Sequence, residues 1–360
     1  MADPHLIYLP VARALQQTSL LRERLLPRPG TALVKEGDRV EPVDTVARTF
    51  MPMAPFVVNI AQLFQVPSLR AHSLLLKKVG DTFAKDEVLA RKKNLVGRSL
   101  VCRAPSTGRL LAEHRGEVLL ELAPTQFDLP ANVKGMVTNA SRFGVVIISN
   151  GALVQGVWGN GKESYGVLKL LSDVREQPLT ADLVDVSALG TIVVSGGPID
   201  AEGLRQTETQ QVRGLIAGSM SAALRERALA LPFPIMLSEG FGTAAMAGPA
   251  FDLFKLYNGR EAGLRAVVKT RWGAQRPELF VPLTTREGAS GEPVPQFATL
   301  QKQALVRVCA GEHFGAVGRV ASDQPQTRVF PNGVRARAVE VALSGGDHAW
   351  VPTTNLEAIA

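Results

Sequence analysis

The sequence predicts a multi-domain, β-rich protein with one small parallel α/β layer. Three observations carry this reading. At 360 residues the chain is too long for one ordinary hydrophobic core. Short alternating apolar runs split by Gly-Asp and Asn-Gly turns fill the first 170 residues and return near the end. Between residues 190 and 259, apolar runs alternate with helix-compatible segments. The expected boundaries are a β domain over 1–128, a β-hairpin connector over 129–175, an α/β domain over 176–288 and a β-barrel over 289–360.

Composition narrows the class. Hydrophobic residues make up 46% and charged residues 20%, so nearly all of the chain is expected to fold. No run reaches the roughly 18 to 20 apolar residues that cross a bilayer, and the first residues lack the features of a signal peptide, so a cytoplasmic location is expected. Cys102 and Cys309 are the only cysteines and form no CxxC, which argues against a disulfide framework or a cysteine metal cage. The net charge of +7 is concentrated N-terminally: Lys and Arg against Asp and Glu number 18 to 13 in residues 1–128 and 6 to 6 in residues 289–360.

The first element is a repeat. LLPRPGTALVKEGDRVEPVDTVART (25–49) and SLLLKKVGDTFAKDEVLARKK (73–93) share Gly-Asp followed by an apolar pattern ending in Ala-Arg, with Gly37-Asp38 aligned on Gly80-Asp81. Each copy reads as strand, Gly-Asp turn, strand, because Gly-Asp suits positive-φ turn positions. The second copy runs on into SLVCRAPSTGRLLAEHRGEVLLEL (99–122), two more strands about a turn at Pro105, Thr107 and Gly108. These residues over 25–125 resemble the half-motifs of the biotinyl/lipoyl-carrier, or barrel-sandwich hybrid, fold, and are similar to the related domains of quinone-reductase and Rnf-type electron-transfer subunits. The resemblance implies a small β-sandwich. No Met-Lys-Met or Asp-Lys-Ala tripeptide is present, so no covalent biotin or lipoate is expected, and the identity of any other cofactor is open.

Within that segment residues 90–115 are strongly basic. Arg91, Lys92, Lys93, Arg98, Arg103 and Arg109 form a candidate surface for an acidic protein partner, with nucleic acid as an alternative. The next stretch, 133–171, reads as more β-structure, with Asn150-Gly151 between two apolar runs marking a hairpin. At its end GVWGNGKES (156–164) falls one residue short of a phosphate-binding loop. A nucleotide site would need a hydroxyl where Glu163 stands, so the expectation is an exposed turn displaying Trp158, Lys162 and Glu163 for partner contact.

The α/β layer should have strands at 190–197, 212–220 and 233–242, with helices at 201–211, 221–231 and 243–259. Ligands in open α/β sheets bind at the carboxyl ends of strands. Those ends supply a candidate anionic-ligand site: Ser195, Gly196, Gly197, Gly218, Ser219, Ser238, Glu239, Gly240 and Gly242. Glu239 is the candidate for a catalytic acid, and none of the five histidines lies in this domain to serve as its base. The histidines form no zinc-binding spacing, so no metal site is expected.

TTREGASGEPVPQ (284–296) reads as a linker. The tail from Ala304 to Ile359 resembles a KOW-type SH3-like barrel on Val306-Arg307-Val308, Gly311, Phe314, Gly315, Gly318, Val320, the run Ala338-Val339-Glu340-Val341, Val351-Pro352 and Asn355-Leu356-Glu357. That resemblance implies ribosome, transcription or protein docking, and the neutral charge of the tail weighs against bare RNA attraction. Phe314, Phe330 and Trp350 are its candidate core or contact aromatics. The sequence therefore points to a non-catalytic cytoplasmic adaptor or assembly factor. Its alternatives are an enzyme subunit binding an anionic ligand at the strand ends, and an RNA- or transcription-associated KOW protein.

Overall fold

The computed structural model describes residues 7–12, 14–93, 99–268, 275–283 and 297–359. The protein is β-rich, with several sheets and few helices, and no described helix is long and apolar enough to cross a membrane. The linker expected at 284–296 and Arg98 lie outside the described residues.

The N-terminal repeat is real, but its two copies do not pack as halves of one sandwich. Each builds a separate module. In the first, the turn at Gly37 (φ 91°) is closed by Asp38, whose carboxylate accepts from the Lys35 amide at 2.7 Å. In the second, Gly80 (φ 96°) and Asp81 repeat this with the Lys78 amide at 2.8 Å. Glycine is needed at both positions because the left-handed backbone strains any residue with a Cβ. The turn amides then reach across their own modules, Gly37 to the Val137 carbonyl and Gly80 to the Leu110 carbonyl, both at 2.8 Å.

The completing strands are also duplicated. Thr45–Met51 pairs antiparallel with Thr125–Pro130, as Val88–Lys93 pairs with Ser99–Arg103. Gly135–Ser141 pairs with the following strand, as Gly108–His114 pairs with Glu117–Leu122. The two cores match residue by residue. Val40, Val46, Ala47, Leu129, Ala131, Val137, Val145 and Ile147 in the first stand where Phe83, Leu89, Ala90, Cys102, Ala104, Leu110, Val118 and Leu120 stand in the second. The second module is inserted within the first, so residues beyond 128 complete the first module and the boundary expected at 128/129 falls inside it.

Residues 144–155 form one long strand that leaves the first module and enters a large mixed sheet. There it pairs with Ala14–Leu25 on one edge and Glu278–Pro282 on the other. Next come Glu261–Arg265 and then four parallel strands: Glu163–Leu170, Thr191–Val194, Gly214–Met220 and Ile235–Phe241. The segment expected as a connector thus supplies the first parallel strand, and the sheet runs through the boundary expected at 175/176. Side-chain alternation explains the layering. Ile192, Val194, Ile216 and Met236 pack against the helix Gly248–Leu256, while Val193, Leu215, Ala217, Ile235 and Leu237 face the helices Ala201–Thr209 and Arg225–Ala230. Asp200 caps Ala201–Thr209 by accepting from the Gly203 amide at 2.6 Å.

The C-terminal strands curl into a compact antiparallel unit, and the N-terminus joins them. Tyr8–Ala12 runs parallel to Leu356–Ile359 and antiparallel to Phe297–Thr299, placing Leu9 and Val11 in a core with Val306, Val339, Val341 and Leu356. The first and last described strands therefore share one sheet, a feature the expected division into 1–128 and 289–360 did not contain.

Candidate functional site

The three glycine-rich strand ends lie at one edge, since their strands are parallel neighbours. They do not enclose a cleft. A Cβ on Gly196 would stand 2.3 Å from the Arg175 carbonyl oxygen, one on Gly197 2.3 Å from that of Gln177, and one on Gly218 2.4 Å from that of Gly196. The glycines are required for close approach of backbone to backbone, so the space a ligand would need is filled by the segments around 175–177 and 244–247. Ser195 donates to the Gln177 carbonyl at 3.2 Å, Ser219 is fully buried, and Ser238 is buried on its strand. Gly240 and Gly242 hold positive φ as the strand ends.

Glu239 is not in an open turn but on the strand Ile235–Phe241, 5% exposed. One carboxylate oxygen accepts from the Ala247 amide at 3.0 Å and the other from Arg307 at 2.8 Å. Arg307 comes from the C-terminal unit, also donates to the Ser238 carbonyl at 2.9 Å, and bonds Glu357, which is held in turn by Arg276. Buried Glu239, Arg307 and Glu357, with half-buried Arg276, form one chain of alternating charge that ties the large sheet to the C-terminal unit. Burial pushes the Glu239 carboxyl above its ordinary range against the opposing pull of Arg307. Desolvation opposes the charge on Arg307, yet Glu239 and Glu357 hold its guanidinium above its ordinary value. The space beside Glu239 is about 20 Å3, enough for a water molecule. Cys309 lies 3.7 Å from Glu357, and burial raises its thiol to about 11, far from a reactive thiolate.

The turn at 156–164 is tied inward by Trp158, Asn160 and Lys162, while Val157, Gly161 and Glu163 stay exposed. Trp158 packs edge-to-face on Phe241 with ring centroids 5.2 Å apart. Asn160 is buried and satisfies three backbone groups at once, donating to Ala228 and Phe233 carbonyls and accepting from the Ile235 amide. Lys162 donates to the Leu229 carbonyl at 2.7 Å near the end of Arg225–Ala230, and Glu163 takes both terminal nitrogens of Arg24 at 2.7 Å. Trp158 and Lys162 are structural residues here, and the expected display of this turn is replaced by internal pairing.

The basic segment is the part of the prediction that stays on the surface. Val88–Lys93 and Ser99–Arg103 make a two-stranded ribbon of their own. Arg91, Lys93 and Arg103 are exposed, while Lys92 reaches back to the Phe64 carbonyl at 2.6 Å. Arg109 lies off this ribbon and is neutralised by Glu121 at 2.8 Å. Among the described residues, no carboxylate lies within ion-pair distance of Arg91, Lys93 or Arg103. Exposed Leu100 and Val101 sit among them.

Sequence reasoning missed Arg307, Glu357 and Arg276, because their partners lie far away in the chain and no local spacing announces them. Searches against protein-family models, curated proteins and solved structures find no match to this chain.

Proposed function

We propose that the protein is a non-catalytic cytoplasmic adaptor whose basic ribbon docks on an acidic, partly apolar protein surface. The observation that carries the reading is a difference between the two modules. In the first, Arg48 stands opposite Asp128 across the strand pair and is bound by it at 2.6 Å. The equivalent arginine in the second, Arg91, stands opposite Val101. The second module keeps the cation and lacks the acid, so its charge faces solvent together with Lys93 and Arg103. The exposed leucine and valine between these cations favour a protein over nucleic acid, which asks for many phosphate contacts and little apolar area.

The same comparison supports the finer fold reading. Two matching cores, each made of a Gly-Asp half and a Gly108- or Gly135-type half, are what a barrel-sandwich hybrid built twice would look like. The curled C-terminal sheet is compatible with a KOW-type SH3-like barrel used for docking. Lys92, bonded to a backbone carbonyl, does not behave as a carrier lysine would.

The test uses fluorescence anisotropy with three probes: a glutamate-rich peptide with interspersed leucines, a single-stranded RNA and a DNA duplex. The expected result is preferential binding of the peptide, lost in Arg91→Glu/Lys93→Glu and weakened several-fold in Val101→Asp. Val101→Asp should leave the circular dichroism spectrum unchanged, because Asp128 shows that the fold accepts an acid at this register. Equal peptide binding by Val101→Asp, no binding at all, or tighter binding of RNA with a steep salt dependence would each overturn the proposal.

A further inference from the structure

A cavity of about 370 Å3 lies where the strand Tyr8–Ala12 passes the large sheet. Its polar lining is Arg22, Arg265, Arg276, Gln155, Gln275 and Glu278. None of these is among the strand-end or ribbon residues discussed above.

The charges do not balance. Arg22 bonds Glu278, both about one-tenth exposed, and Arg276 bonds Glu357. Arg265 is left over. Its nearest carboxylate is Glu163, 3.9 Å from Nε, and both oxygens of Glu163 are already taken by Arg24. Among the described residues the Arg265 side chain makes no hydrogen bond, and its Nε is buried without an acceptor. Gln275 Oε1 is likewise buried without a donor. Burial, followed by the nearby charge of Arg22, pulls the Arg265 guanidinium below its ordinary value, while Glu278 and Glu163 pull the other way.

We infer that this cavity binds a small organic anion carrying two or more carboxylate or phosphate groups. Three guanidinium groups from three separate chain segments line it, and a guanidinium fork matches a carboxylate or phosphate with two parallel hydrogen bonds. The volume falls within the ordinary range of ligand pockets. The two glutamine amides can each donate and accept, which suits a ligand with hydroxyl groups beside its anionic ends. Arg276 shares Glu357 with Arg307, so the ligand would sit against the charge chain that joins the large sheet to the C-terminal unit and tighten that junction. The inference stands independently of the adaptor reading, which concerns the ribbon of the second module, none of whose residues line this cavity.

The experiment is calorimetric titration and thermal unfolding of the full chain with citrate and with inorganic pyrophosphate, at constant ionic strength and against chloride. Saturable 1:1 binding of at least one probe is expected, and the ratio of the two affinities separates a polycarboxylate ligand from a polyphosphate one. Arg265→Met should weaken binding at least tenfold without lowering the melting temperature of the unliganded protein, since it removes a cation whose side chain makes no hydrogen bond. Should that variant fail to fold, Arg265→Lys, which keeps charge and loses the fork, should weaken binding several-fold. Glu278→Gln should strengthen binding by freeing Arg22. Absence of binding at millimolar probe, unchanged affinity in the Arg265 variants, or weakened binding in Glu278→Gln would overturn the inference.

Discussion

Replacing Arg307 by methionine removes the cation on which the buried charge chain turns. Taking one partner from a buried ion pair costs about 3–5 kcal/mol, because the other charge stays out of water without compensation. Two carboxylates contact Arg307, but they are not left equally poor. Glu357 keeps Arg276, whereas Glu239 keeps only the Ala247 amide. The loss therefore concentrates on Glu239, and an effect of about 3–5 kcal/mol is a large part of the total stability of about 5–15 kcal/mol of an ordinary domain. Glu239 escapes by taking a proton. Its folded pKa already lies above the unfolded value and rises further without Arg307. Stability linked to such a group is present below the unfolded pKa and is lost as pH rises through the folded one. The deficit of Arg307→Met should thus be small near pH 4.5 and full by pH 8. Urea denaturation across that range, followed through Trp158 in the large sheet and Trp350 in the C-terminal unit, measures it. The wild type should show coincident transitions and the variant separate ones. Arg307→Met/Glu239→Gln should recover most of the loss. A deficit below about 1 kcal/mol at pH 7, or no recovery in the double variant, would refute the reasoning.

Two further predictions concern the duplicated modules and the sheet. A Cβ on Gly108 would lie 2.2 Å from the Glu121 carbonyl oxygen, and one on Gly135 2.3 Å from that of Ile148. Each alanine variant should lose about 1–3 kcal/mol from overpacking, with amide exchange rising in 56–122 alone for Gly108→Ala and extending into the large sheet for Gly135→Ala. Burial alone would raise the Glu163 carboxyl, but Arg24 outweighs it and holds the group below its ordinary range. That stability is present above the unfolded pKa and disappears as pH falls through the lower folded value. Glu163→Gln should therefore be less stable at pH 7 and show a flatter loss below pH 5, measured by melting temperature against pH.

What the sequence made legible was local. The Gly-Asp frame predicted the turns at Gly37 and Gly80, and apolar runs predicted strands at 190–197, 212–220 and 233–242, which form at 191–194, 214–220 and 235–241, because turn geometry and apolar runs are written in adjacent residues. The partner of each repeat was not. VKEGDRV at 34–40 had to be matched with residues beyond 125, across an inserted module, and nothing local distinguishes that pairing from one between neighbouring repeats. The candidate site failed for the same reason. SEGFG carries an acid among small residues, which describes both a ligand loop and a tightly packed strand end, and the deciding residue, Arg307, lies 68 positions away. Of the proposed surfaces, the ribbon cations remain exposed because a charge run on a short hairpin has little chain of its own to bury against.

The placement of the two modules bears on why one of them kept an uncompensated arginine. The last strand of the first module continues without interruption from Gly144 to Gln155 into the large sheet, so Phe280 of that sheet packs into its core. Its outer strand pair is fixed by this connection, and Arg48 and Asp128 close on each other. The second module leaves the first after Met51 and returns by Thr125, and its buried residues all come from within 56–122. An element inserted between two neighbouring strands, with its own core, can change its surface without disturbing the sheet that carries it. Exchange of an acid for Val101 opposite Arg91 is a change of that kind. If it served only packing, Val101 would be buried, yet it is 37% exposed beside an arginine and within a short ribbon. A solvent-facing valine next to cations without a carboxylate partner is what the proposed docking on an acidic, partly apolar surface would cover.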